Sequence, residues 1–133
     1  MAQLKYDVIF EEYTRRHFIK AFEKAYKNRW GDTMEYIVFM CEHIDTMLQT
    51  KRADFITGFG NKKIVKLDFA INGLKISPKS SGNRCILLVD DDSKKVSVLL
   101  VYSKNDIPTK GETAAWKRII KNEYMQLLKG FNL

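Results

Sequence analysis

Apolar and polar positions change their spacing along the chain, and each change predicts an element. Lys5 to Phe10 alternates apart from the adjacent Val8, Ile9 and Phe10, and its strong strand formers predict a first strand. From about Glu12 the period lengthens, and Phe18, Phe22, Ala25 and Tyr26 fall on one helical stripe. The pattern breaks at Asn28 to Gly31. Asp32 with Glu35 three residues later then has capping-box spacing for a second helix carrying Met34, Ile37, Val38, Cys41, Ile44 and Leu48 at helical period. The two helices predict an αα-hairpin. After Lys51 glycines punctuate the chain, and the alternation over Lys63 to Ile71 and Leu74 to Ile76 predicts sheet.

Arg84 to Val89 and Val96 to Tyr102 are continuous apolar strands joined by the polar loop Asp90 to Lys95, which predicts a hairpin with both faces occupied. Thr109 with Glu112 forms a second capping box, and Trp116, Ile119, Ile120, Tyr124 and Leu127 continue at helical spacing to an end near Gly130. The expected fold is a single α+β domain over residues 1–133, in the order β-α-α-β-β-β-α. An N-terminal strand and αα-hairpin would pack on a small antiparallel sheet, followed by a C-terminal helix.

A chain of 133 residues with 45% hydrophobic content can close one core without disulfides or metals. Its apolar runs are far shorter than the roughly 20 residues that span a bilayer. The N-terminus lacks the layout of a secretory leader, so the expected compartment is the cytoplasm. Cys41 and Cys85 lie within apolar patterns and read as buried free thiols. His17 and His43 lack metal-ligand spacing, and Asp90, Asp91 and Asp92 lack the spacing of a calcium loop. Neither a metal nor a cofactor is expected.

Charge changes the picture once it is divided. The formal net charge is +7, but residues 1–50 carry −1 and residues 51–133 carry +8. The densest basic stretch is Gly73 to Arg84, GLKISPKSSGNR, which holds Lys75, Lys79 and Arg84 and no acidic residue. Ser80, Ser81 and Gly82 are small enough for backbone amides to approach an oxyanion, and the flanking cations would neutralise it. The stretch is a candidate phosphate cradle.

Together with the order of elements and the strand pair RCILLV and VSVLLVYSKNDI, the run from Lys75 through Ser80-Ser81-Gly82 to Arg84 resembles the RelE/ParE superfamily of type II toxins. The resemblance in letters covers about residues 74–107. It implies a ribosome-dependent mRNA endoribonuclease that uses attack of the ribose 2′-hydroxyl on the adjacent phosphate and leaves a 2′,3′-cyclic phosphate. It also implies a cognate antitoxin as partner. Position by position, Lys75, Arg84 and Lys104 match catalytic places, Lys79, Ser80 and Ser81 match RNA-binding places, and Tyr102 and Trp116 are candidates to stack a base. Ser77 and Asn105 stand where a second lysine and an arginine are expected, so the proton donor is unassigned. Two alternatives stay open: a ParE-like inhibitor of DNA gyrase, and a non-catalytic RNA- or protein-binding domain of the same fold.

Overall fold

The computed structural model describes residues 5–107 and 110–133. Five strands form one sheet: β1 (Asp7–Phe10), β2 (Ala53–Phe59), β3 (Lys62–Phe69), β4 (Asn83–Asp90) and β5 (Lys95–Tyr102), in the spatial order β1-β5-β4-β3-β2. Strands β2 to β5 pair antiparallel, while β1 joins the edge parallel to β5. The sheet is therefore mixed rather than wholly antiparallel.

The chain is α+β, with helices on both faces. Between β1 and β2 run α1 (Glu12–Thr14), a π-helical turn over Arg15–Ile19, α2 (Lys20–Tyr26), α3 (Asn28–Glu42) and α4 (Ile44–Gln49). They cover one face, where Phe22, Ile37, Met40, Cys41 and Ile44 pack on Cys85, Leu87 and Val89 of β4. On the other face, Ile86 and Leu88 of the same strand meet Trp116 and Ile120 of α6 (Glu112–Glu123). The alternation along β4 thus points apolar side chains into two cores, which explains its unbroken apolar run. β5 adds a bulge. Ile86 pairs with Leu100 and Leu87 with Val98, so Leu99 has no partner of its own, and both Leu99 and Leu100 enter the second core. Both cysteines are free and buried.

Beyond the end of β1, the edge of β5 would leave the Val101 N–H without a strand partner. The fully buried Thr14 accepts it through Oγ1 at 2.8 Å. Thr14→Val keeps the shape and orphans this donor, with an expected loss of about 1–3 kcal/mol, measured by urea unfolding. At the hairpin end of the sheet the Tyr6 hydroxyl lies 3.0 Å from Asp91 and 3.1 Å from Asp45, tying α4 to the β4–β5 turn. Asp90 closes that turn by accepting from the amides of Asp92 and Ser93.

The structure corrects several boundaries. The first helical segment ends at Lys27 (φ +48°), and α3 then starts at Asn28 and runs through Gly31 and Asp32, so Asp32 is inside the helix and caps nothing. Ala53–Phe59, which has no clean alternation, forms the edge strand β2, with a register shift between Phe55 and Thr57. Leu74–Ile76 is not a strand but part of a loop that leaves β3 at Phe69. The helix α6 begins after Gly111 (φ +81°) and ends at Glu123, while Thr109, the expected cap, lies outside the described residues. Among the described residues no helix is long and apolar enough to cross a membrane.

Candidate functional site

Between β3 and β4 the chain makes the single turn α5 (Pro78–Ser81). Ser77 precedes it in extended conformation, and its Oγ accepts from the Ser80 amide at 3.2 Å; Pro78 at the first helical position donates nothing and needs no partner. The turn closes at Gly82 (φ +78°), where a side chain would be strained and would also meet Lys104, whose Cδ would lie 2.7 Å from an added Cβ. Ser81 Oγ lies 2.6 Å from the Phe69 carbonyl and accepts from the Asn83 amide at 3.0 Å. A serine-rich turn is thereby fastened to the end of β3, and the stem of Lys104 is brought against it.

Arg84 completes the fastening. Its Nη1 donates to the carbonyls of Pro78 (3.2 Å) and Asn83 (2.9 Å), and its Nη2 donates to that of Lys79 (3.1 Å). The register of β3 and β4 sets Asp68 directly opposite, with Arg84 Nε 3.0 Å from Asp68 Oδ1. The two side chains are 15% and 14% exposed, so the pair is largely withdrawn from water. The ion pair is close, yet the Nε–H is not aligned on Oδ1, which accepts no hydrogen bond. Burial pushes the Asp68 carboxyl above the ordinary carboxylate range, against the opposing pull of Arg84 and Lys66.

Asp68 also lines a cavity of about 330 Å³ together with Lys51, Arg52, Ser77, Pro78 and Lys79. Lys51 and Arg52 come from the turn just before β2, and Arg52 is steadied by its Nη2 donating to the Tyr36 hydroxyl at 2.9 Å. The arrangement is an open cationic rim around one partly buried carboxyl. Cations of this kind can hold a phosphodiester, and a carboxylate among them can exchange a proton with a hydroxyl.

The expected residues are thus only partly assembled. Arg84, Lys79, Ser80, Ser81 and Lys104 gather at the turn, but they do not lie on one sheet face. Lys75 stands exposed in the loop before it. The hydroxyl of Ser81 holds the turn together, whereas Ser80 is exposed. Base stacking by Tyr102 and Trp116 is corrected: the rings are 0% and 1% exposed, inside the second core, and the Tyr102 hydroxyl donates to Glu112 at 2.7 Å. Asp68, Lys51 and Arg52 escaped the sequence reading. Asp68 sits in an alternating strand like any polar position, and only its cross-strand register with Arg84 singles it out.

No family model matches the chain, and no curated protein matches its sequence. Among solved structures, the archaeal RelE–RelB complex from Pyrococcus horikoshii OT3 is similar to this chain at 14% identity, over 76% of this chain and 97% of that one, with a TM-score of 0.49.

Proposed function

We propose that the chain is the toxin of a type II toxin–antitoxin pair, a cytoplasmic endoribonuclease that cleaves mRNA on the ribosome and so stops translation. The observation that carries the reading is Asp68, paired with Arg84, on the wall of a cavity rimmed by Lys51, Arg52 and Lys79. It supplies the proton-transfer group that the serine-glycine turn alone lacks.

In this mechanism Lys51, Arg52 and Lys79 hold the scissile phosphate, and the substrate's own 2′-oxygen attacks phosphorus. The Asp68 carboxylate takes the 2′-hydroxyl proton as the new P–O bond forms. The bond from phosphorus to the 5′-oxygen breaks, and the leaving oxygen takes a proton from the Lys79 ammonium, with the extra negative charge held by the surrounding cations. Because the nucleophile is part of the substrate, no metal is required to generate it. Three of the guanidinium's contacts go to backbone carbonyls, so Arg84 acts as a positioning residue that holds Asp68 and the turn. Lys75 and Lys104 flank the turn and bind the RNA backbone on either side.

An antitoxin partner fits the exposed Tyr36, Phe39, Leu74 and Ile76. These apolar side chains stand near Arg52, Lys75 and Lys79 and suit an acidic, apolar segment. The test is induction of the chain in growing cells with mapping of mRNA ends. Codon-phased cuts that need ribosomes support the reading. DNA damage with intact mRNA would instead select gyrase poisoning, and growth arrest with neither would leave a binding domain.

A further inference from the structure

The helix α6 presents a cationic face that the cavity does not use. Trp116 and Ile120 are 1% and 0% exposed in the second core, which fixes the rotation of the helix about its axis. The opposite stripe must face water. It carries Ala114, Lys117, Arg118, Lys121 and Asn122, which line a shallow cleft of about 320 Å³ with Leu133 and with no acidic side chain among them. Among the described residues none of the three cations forms an ion pair with a side chain; Lys121 Nζ donates to the Leu133 main-chain oxygen at 3.2 Å.

We infer that this face of α6 is a docking surface for the phosphate backbone of folded RNA, separate from the cavity at α5. At 1.5 Å per residue, Ala114 to Asn122 extends about 12 Å, which matches roughly three to four phosphates along one strand of a duplex. Ala114 allows close approach at one end, and Asn122 offers an amide donor at the other. The surface chemistry favours a polyanion over other partners. A membrane-lying helix would turn Trp, Phe or Leu outward, and a protein interface would centre on an aromatic or apolar anchor. The cleft has no aromatic side chain, and its apolar members are Ala114 and Leu133 at its edge. The start of α6 is anchored by Glu112 to Tyr102, which pairs with Arg84 across β4 and β5, so the face runs outward from the cavity's end of the sheet.

The choice of RNA as ligand rests on the reading proposed above, and the test separates the two. The probe is a 2′-O-methyl RNA hairpin, which has no nucleophilic hydroxyl and so reports binding without cleavage. In a titration over salt, the Lys117→Gln/Arg118→Gln/Lys121→Gln variant is expected to lower the slope of log affinity against log salt by about 3. A Lys20→Gln/Lys24→Gln variant, which removes two exposed cations of α2, a helix packed in the first core, is expected to keep the slope. The inference is overturned if the triple variant matches the native slope, if the native chain ignores the hairpin, or if it prefers anionic vesicles. Hairpin binding lost in the triple variant, with mRNA never cut, would uphold this inference and defeat the nuclease reading.

Discussion

Asp68→Asn is expected to lower RNA cleavage by about 10²- to 10⁴-fold while RNA affinity holds or rises, because the amide keeps the shape but accepts no proton. The same substitution separates a base from a purely structural carboxylate through pH. Burial raises the Asp68 carboxyl above its ordinary value, so the native rate should climb with pH through that raised value as the carboxylate forms. In the Asn variant the residual rate should lack this acidic limb. Single-turnover kinetics across pH, with affinity measured on uncleavable RNA, would check both statements. Equal loss of binding and rate would assign Asp68 to the fold instead.

Arg84→Ala is expected to damage stability as well as activity. The substitution removes the tie between α5 and β4 and leaves Asp68 without its partner at 14% exposure. Breaking one side of a largely buried pair costs about 3 kcal/mol, the lower end of the usual range because both side chains keep some contact with water. The sign with pH follows from linkage. Without the arginine, the folded-state Asp68 binds its proton more tightly still, whereas the unfolded chain titrates near the ordinary carboxylate value. The variant's deficit is therefore largest near neutrality and shrinks as pH falls through the raised folded-state value. Urea unfolding of both proteins at neutral and acidic pH measures it. A deficit that grows on acidification would contradict the pairing.

Where two neighbouring layers imposed a clear pattern, the fold was readable from the chain. β4 and β5 read correctly because alternate side chains enter two cores, so nearly every position is apolar. The stripe of Ile37, Cys41 and Ile44 read correctly as helical because it meets the sheet, although the chain breaks at His43 and places Ile44 on α4. The edge strand β2 did not. Its Phe55 and Phe59 are 60% and 52% exposed and its register slips between Phe55 and Thr57, so no period of two survives. Leu74-Lys75-Ile76 misled in the opposite sense. Its alternation imitates a strand, but Gly73 (φ +85°) turns the backbone away from the sheet, and both apolar side chains are exposed. At the site, the cations of the turn were legible as a local run. Lys51, Arg52 and Asp68 were not, since they are distant in sequence and meet the turn only through the pairing of β2, β3 and β4.

The most direct measurement is the chemistry of the RNA ends produced by the purified chain on translating ribosomes, compared between the native protein and Asp68→Asn. The native protein is expected to give upstream fragments ending in a 2′,3′-cyclic phosphate and downstream fragments beginning with a 5′-hydroxyl, both nearly absent with the variant. Fragments bearing a 5′-phosphate, or equal yields from the two proteins, would contradict this mechanism.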